Sequence, residues 1–289
     1  MLLRKLKALA RTGISAEEAC RRFYSKQEPV ISLPQAVHTA IFSPTGGGKG
    51  VSCVIPFLLT CQDSCVILDV KGENARLTAE HRRKYFGHSI VLLDPFRTVT
   101  ASPDCFNPLD FIDRENPLAL DEVNDLANAL VVRTGEEREP HWNDSAQAFI
   151  GAVIATVVEY GDAGEGTRSL QAVRDILTNP QKLEMAIKVM CESQSWEGML
   201  ARMGGQLTYF VEKEKMSTLT TASRHLRWLD TLAVAESTRR SSFDPRQLRQ
   251  GKMTVYLILP PEHLRAQAAL LRTWIGSLLR ACIREGLES

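Results

Sequence analysis

Two patterns of apolar residues divide the chain. Short, unbroken apolar runs occupy the first third and return near the end. Between them the apolar positions recur every three or four residues. The first run, Ala36 to Phe42, is β-branched and apolar and predicts a strand. Val51 to Leu59 is amphipathic and predicts a helix, with Pro56 well inside it to kink or loosen it. Cys65–Asp69 and Ser89–Leu93 read as strands of a parallel sheet covered on both faces, and an acid stands at the end of each, Asp69 and Asp94. Asn74–Tyr85, with Arg76, Arg82, Arg83 and Lys84, reads as a basic helix between them. Strand, helix, strand, helix, strand is the α/β order.

The texture changes after Asn107-Pro108-Leu109. From about residue 118 to about 235 the period is helical and no run predicts a strand. Helices are expected over Leu118–Val131, Ser145–Tyr160, Ser169–Leu177, Pro180–Met190 and Ser217–Leu229. Breaks fall at Arg133–Pro140 and Tyr160–Gly166. An all-α insertion of roughly 120 residues is close to ordinary domain size. Thr254–Leu259 returns to strand, Pro260-Pro261 stops it, and Glu262–Arg284 predicts a long helix. The expected organisation is a helical leader over 1–35, the first part of a nucleotide-binding domain over 36–117, the all-α insertion over 118–235, and a return to the first domain over 236–289.

Composition narrows the class. A chain of 289 residues, 44% hydrophobic, has material for one or two domains. A net charge of +1 makes the whole chain no magnet for nucleic acid, so any DNA contact needs a local patch. The seven cysteines are scattered, without C-x-x-C pairs or histidines at ligand spacing, and read as reduced thiols. No run reaches the roughly 18 apolar residues of a membrane span. Met1–Arg11 sets Leu2, Leu6 and Leu9 on one helical face among Arg4, Lys5, Lys7 and Arg11. That fits a basic surface helix or one lying on a membrane. Residues 14–26 predict a further helix.

The chemistry concentrates between the first strand and the first helix. Ser43-Pro44-Thr45-Gly46-Gly47-Gly48-Lys49-Gly50 is a glycine-rich loop in the context a phosphate-binding loop requires. Glycines let backbone N–H groups turn inward as an anion nest, the following helix adds its positive end, and Lys49 supplies a point charge. The strict pattern G-x-x-x-x-G-K-[ST] is met at Gly48-Lys49. Ser43 stands where it has its first glycine, and Gly50 where it has the hydroxyl that holds Mg²⁺. Ser52, two residues on, is expected to point elsewhere on a helix. The plain alternative is a glycine turn that binds nothing.

Four passages carry a resemblance: Pro44-Thr45-Gly46-Gly47-Gly48-Lys49-Gly50-Val51, Leu68-Asp69-Val70-Lys71-Gly72-Glu73, Asn107-Pro108-Leu109, and Val255-Tyr256-Leu257 before Pro260-Pro261. In order and spacing, over about residues 36–285, the chain resembles the type IV secretion coupling proteins, the TraG-like ATPases of conjugation. Glycine after the lysine is common in that family. The resemblance implies a RecA-like P-loop parallel sheet with an inserted all-α domain. It implies a motor that binds ATP and Mg²⁺ between subunits of a homo-hexamer on the cytoplasmic side of the bacterial inner membrane. It implies DNA or a relaxase–DNA complex as cargo, the secretion channel as partner, and an all-α domain that takes part in substrate recognition. The expected nucleotide contacts are Thr45, Gly46, Gly47, Gly48, Lys49, Gly50 and Val51, with Asp69 and Glu73 at a strand end, where parallel α/β sheets hold ligands. The family usually begins with transmembrane helices and places an Asp-Glu strand after the helix that here ends near Arg284. Neither is in these 289 residues, so the expectation is a stretch that binds nucleotide and hydrolyses it poorly by itself.

Other readings stand beside these. Asp69 and Glu73 fit a helix cap as well as a site, and Lys71 fits a solvated lysine. Arg239, Arg240, Arg246 and Arg249 fit a DNA-facing patch or an ordinary charged face. The alternative functions are a non-catalytic adaptor that recruits substrates and a hexameric DNA pump of the FtsK or HerA kind.

Overall fold

The computed structural model describes residues 38–133, 135, 139–249 and 251–287. The expected leader and Ala36-Val37 lie outside them. The chain forms two compact units, one containing the stretch up to Leu92 with Gln247–Leu259, the other Leu93–Arg246 with the stretch from Pro260.

The first unit is built on a three-stranded sheet of β1 (Cys65–Asp69), β2 (Ser89–Leu93) and β3 (Met253–Ile258) in the order β1-β3-β2. β1 runs parallel to β3, with Val66 opposite Val255 and Leu68 opposite Leu257. A parallel neighbour cannot be reached by a tight turn, and here the connection spans most of the chain. β3 is buried at all six positions, as its unbroken apolar run requires. β1 buries alternate residues, so Val66 and Leu68 on its other face stay about half exposed. α1 (Ile55–Thr60) packs against α2 (Glu73–Phe86) through Ile55, Leu59, Val51 and Leu77.

The run expected as a first strand is the main departure. His38–Phe42 has no regular structure, with Ile41 49% and Phe42 94% exposed. β-branched residues favour a strand only where a partner ladder and a packed face exist, and His38–Phe42 joins neither.

A fully buried arginine holds this unit together. Arg82 Nε donates to Thr254 Oγ1 at 2.7 Å, Nη1 to the Leu58 and Cys61 oxygens at 2.7 Å each, and Nη2 to the Asp63 oxygen at 2.6 Å. Leu58 and Cys61 close α1, so the cation satisfies carbonyls at a helix C-terminus. Beside it, His88 meets Thr254 Oγ1 at 2.8 Å and the Gln62 oxygen at 2.9 Å. Thr78 and Tyr256 share a 2.6 Å hydroxyl bond. Burial pushes the Tyr256 phenol up to about 12 and the Cys65 thiol up to about 11.

The second unit is helical. Among its described residues no strand occurs between 118 and 235: α3 (Ala119–Leu130), α4 (His141–Tyr160), α5 (Leu170–Thr178), α6 (Pro180–Glu192), α7 (Ser195–Thr208), α8 (Glu212–Leu226) and α9 (Leu232–Thr238) follow in turn. α4 is the axis, buried without a break from Phe149 to Val158, because it is apolar all round and surrounded by other helices. Gly204 lets α7 cross α6 closely: a Cβ there would lie 2.6 Å from that of Met190. Ser169, Asn179 and Thr231 cap α5, α6 and α9 through their side chains. α7 opens on a left-handed turn, Trp196, Glu197 and Gly198.

The helix expected over Glu262–Arg284 is broken into α10 (Pro261–Leu264) and α11 (Ala268–Leu287). α11 packs in the helical unit, where Arg284 pairs with Glu122 of α3 at 2.8 Å and Trp274 is buried. The Asn107-Pro108-Leu109 passage lies in the same unit. Its Asn107 side chain caps a short 3-10 turn and donates to Asp110 at 2.8 Å and the Arg168 oxygen at 2.7 Å. No helix among the described residues is long and apolar enough to cross a membrane.

Candidate phosphate-binding site

The loop is shaped by its three glycines in two ways. Gly46 and Gly48 hold φ of +80° and +84°, left-handed values that a side chain strains to adopt. Gly47 closes a turn onto the Pro44 oxygen at 3.0 Å, and a Cβ there would fall 2.1 Å from Ser43 Oγ. A side chain at Gly46 or Gly48 is strained by its left-handed backbone, and one at Gly47 displaces the Ser43 hydroxyl. Thr45 is exposed.

Lys49 follows at once, half-buried, its ammonium donating to the Ser43 oxygen and, at 3.2 Å, to the Pro44 oxygen. The charge is thereby held against the loop's own backbone. Gly50–Val54 then forms a π-turn, with the Ile55 N–H reaching the Gly50 oxygen, before the chain tightens into α1 at Pro56. Pro56 has no N–H to give, so the wide turn absorbs the position where an α-helix would break. The expected loosening is realised in this way. Val51 turns its side chain to Ile55 and Leu59.

Asp69 and Glu73 sit at the carboxyl end of β1. Asp69 is buried and its Oδ2 accepts from the Ala75 N–H at 2.8 Å, while its main-chain oxygen accepts from Gly72 at 3.2 Å. That carboxylate caps α2, whose entry is made by the left-handed Gly72. Glu73, in the first turn of α2, and Lys71 are exposed. Asp94 is likewise committed in the helical unit, taking the N–H groups of Thr98, Val99 and Thr100 at 2.8, 2.6 and 3.1 Å. Among the described residues no group of three or more His, Cys, Asp or Glu is placed to hold a metal ion.

Arg239 and Arg240 are exposed in the helical unit, Arg246 pairs with Asp244 at 2.7 Å, and Arg249 belongs to the sheet unit. Arg82 is the residue that sequence reasoning missed. It sits among Arg76, Arg83 and Lys84 in a helix that reads as evenly basic. The available signal is Thr78, four residues earlier, which puts a second polar group on the inward face.

The chemistry on offer is anion binding by backbone amides and one ammonium. The family described as Type IV secretory system Conjugative DNA transfer matches residues 4–286. The conjugal transfer protein TraG of Escherichia coli is 30% identical over 254 residues, which is 84% of this chain and 39% of that protein. Protein VirD4 of Rhizobium radiobacter is 31% identical over 246 residues, 84% of this chain and 34% of that one. The chain therefore spans little more than a third of these relatives. Among solved structures, the unbound conjugative coupling protein TrwBdeltaN70 aligns with a TM-score of 0.55 at 15% identity, over 82% of this chain and 49% of that one. TrwB in complex with ADP and Mg²⁺ aligns with the same TM-score over 82% and 50%. That likeness gives the fold, a RecA-like P-loop sheet with an all-α part. On the family match the conclusion is direct: this chain belongs to the conjugative DNA transfer family of the type IV secretory system.

Proposed function

We propose that this chain is the nucleotide-binding module of a type IV secretion coupling protein. It binds ATP or ADP with Mg²⁺ through the loop Thr45–Val51 and couples the nucleotide to transfer of DNA or a relaxase–DNA substrate. The observation that carries the reading is the loop itself: two left-handed glycines, a third turned tightly onto the Pro44 oxygen, and Lys49 at the head of a helical run. Asp69 and Glu73 belong to the edge of the same site, Asp69 by fixing the start of α2 and Glu73 by its open carboxylate. The helical unit takes part in substrate recognition. The assembly is a homo-hexamer on the cytoplasmic face of the inner membrane, docked to the secretion channel.

One observation favours binding over turnover for this stretch by itself. The Asp69 Oδ2 is taken by the Ala75 N–H at the cap of α2, which turns the carboxylate toward the helix rather than toward a metal or water. The adaptor reading keeps its interest for that reason. Filter binding of labelled ATP to the wild-type chain and to Lys49→Ala tests the proposal. Strong retention lost in the variant supports it, and equal retention by both contradicts it.

A further inference from the structure

Gly50 leaves the loop without the hydroxyl that a strict phosphate-binding loop places directly after its lysine. Three features of Ser52 bear on that gap. Its Oγ lies 3.4 Å from where a Cβ on Gly48 would be, so the side chain leans back along the helical run onto the last glycine of the loop.

The hydroxyl is also uncommitted. Ser52 N–H takes the Gly48 oxygen at 2.8 Å, while its Oγ makes no hydrogen bond among the described residues. Hydroxyls elsewhere in these helices behave differently: Thr60, Thr78, Thr156, Ser217, Thr220 and Thr273 each donate to the carbonyl four residues back. Ser52 is solvent-exposed as well, so a ligand can reach it.

The third feature is the π-turn. Gly50–Val54 is closed by the Ile55 N–H to the Gly50 oxygen, an i→i+5 bond. Ser52 is the one hydroxyl residue in that turn. Ser43, at the other end of the loop, has its Oγ tucked against Gly47.

We propose that the Ser52 hydroxyl is the protein's oxygen ligand to the Mg²⁺ of the bound nucleotide, in place of the side chain Gly50 lacks. The assignment rests on the nucleotide-binding reading above. Mg²⁺ takes few protein oxygens and keeps several waters, so one hydroxyl is a sufficient protein contribution.

The test is titration of ADP into the full chain, once with Mg²⁺ and once with EDTA, for the wild type, Ser52→Ala, Ser52→Thr and the double variant Gly50→Ser with Ser52→Ala. Nothing lies within 4 Å of a Cβ on Gly50 and its φ is not left-handed, so serine fits there. The wild type is expected to bind more tightly with Mg²⁺. Ser52→Ala is expected to lose most of that gain, about tenfold, and keep its affinity in EDTA. Ser52→Thr is expected to retain the gain and the double variant to regain it. Ser52→Ala with its full Mg²⁺ gain overturns the assignment, as does equal weakening with and without the metal. A wild type that binds ADP without any Mg²⁺ dependence also overturns it. A wild type that binds no ADP in either buffer removes the nucleotide reading itself, and the assignment with it.

Discussion

Arg82 Nε donates to the Thr254 hydroxyl at 2.7 Å, and this bond ties α2 to the central strand of the sheet. The other guanidinium nitrogens take carbonyls of Leu58, Cys61 and Asp63, so one buried cation joins the helix after the loop, the loop before β1, and β3. Its value lies in those carbonyls, each of which loses a charged donor when it is gone. Arg82→Met keeps the volume and orphans them. The expected loss is about 3 kcal/mol or more, read as a lower urea midpoint with unchanged slope. A loss under about 1 kcal/mol would make the network ornamental.

The loop predicts a second result. Gly48→Ala places a side chain at φ +84°, which costs about 1–3 kcal/mol locally. Gly47→Ala drives a Cβ into Ser43. Both variants should keep the thermal midpoint of the sheet within a few degrees and lose nucleotide affinity, because the strain falls on an exposed loop. Wild-type affinity in either variant contradicts the cradle.

Asp69 separates two roles in one measurement. Asp69→Ala removes the cap on α2 and should cost about 1 kcal/mol of stability. Phosphate release by the wild-type chain should stay below about 1 s⁻¹, the low end of ordinary enzymes. Turnover above that rate, abolished by Asp69→Asn, would assign the carboxylate to the metal instead of the helix.

His88 sets a pH dependence. Burial holds its pKa below the ordinary 6.5, opposed by the bond to the Gln62 oxygen and reinforced by Arg82 and Lys252. The unfolded chain therefore binds a proton at a pH where the folded chain does not. Stability from this group is fully present above about 6.5 and is lost as pH falls below it towards the folded value. His88→Asn should be less stable at pH 8 and show a shallower decline between pH 6.5 and 5. An identical decline in both proteins places the effect elsewhere.

These outcomes also mark how far the residues alone can be read. β1, β2 and β3 are legible because an apolar run bounded by an acid, glycine or proline has few other uses. The helical span is legible because periodicity accumulates over many turns. α7 escapes because it opens on a left-handed turn and carries Gly198, Gly204 and Gly205, which read as a break. Ala36–Phe42 shows the reverse: strand texture does not supply a ladder. The glycine turn ahead of the helical run is local, and its left-handed positions are legible as glycines. Orientations are not. That Arg82 turns inward and Ser52 back to Gly48 depends on how elements pack, and packing leaves little trace in spacing, whereas the Asp69 cap is one of the two readings its strand-end position offers.

The central claim is that the loop Thr45–Val51 is the nucleotide site of this chain. Amide hydrogen exchange with and without Mg²⁺ and ADP tests it most directly, since the claim assigns binding to particular N–H groups. The account predicts slowed exchange across Gly46–Val51, lost in Lys49→Ala, with α3 to α9 of the helical unit unchanged. Protection confined to the helical unit, or protection of the loop that survives Lys49→Ala undiminished, would contradict it.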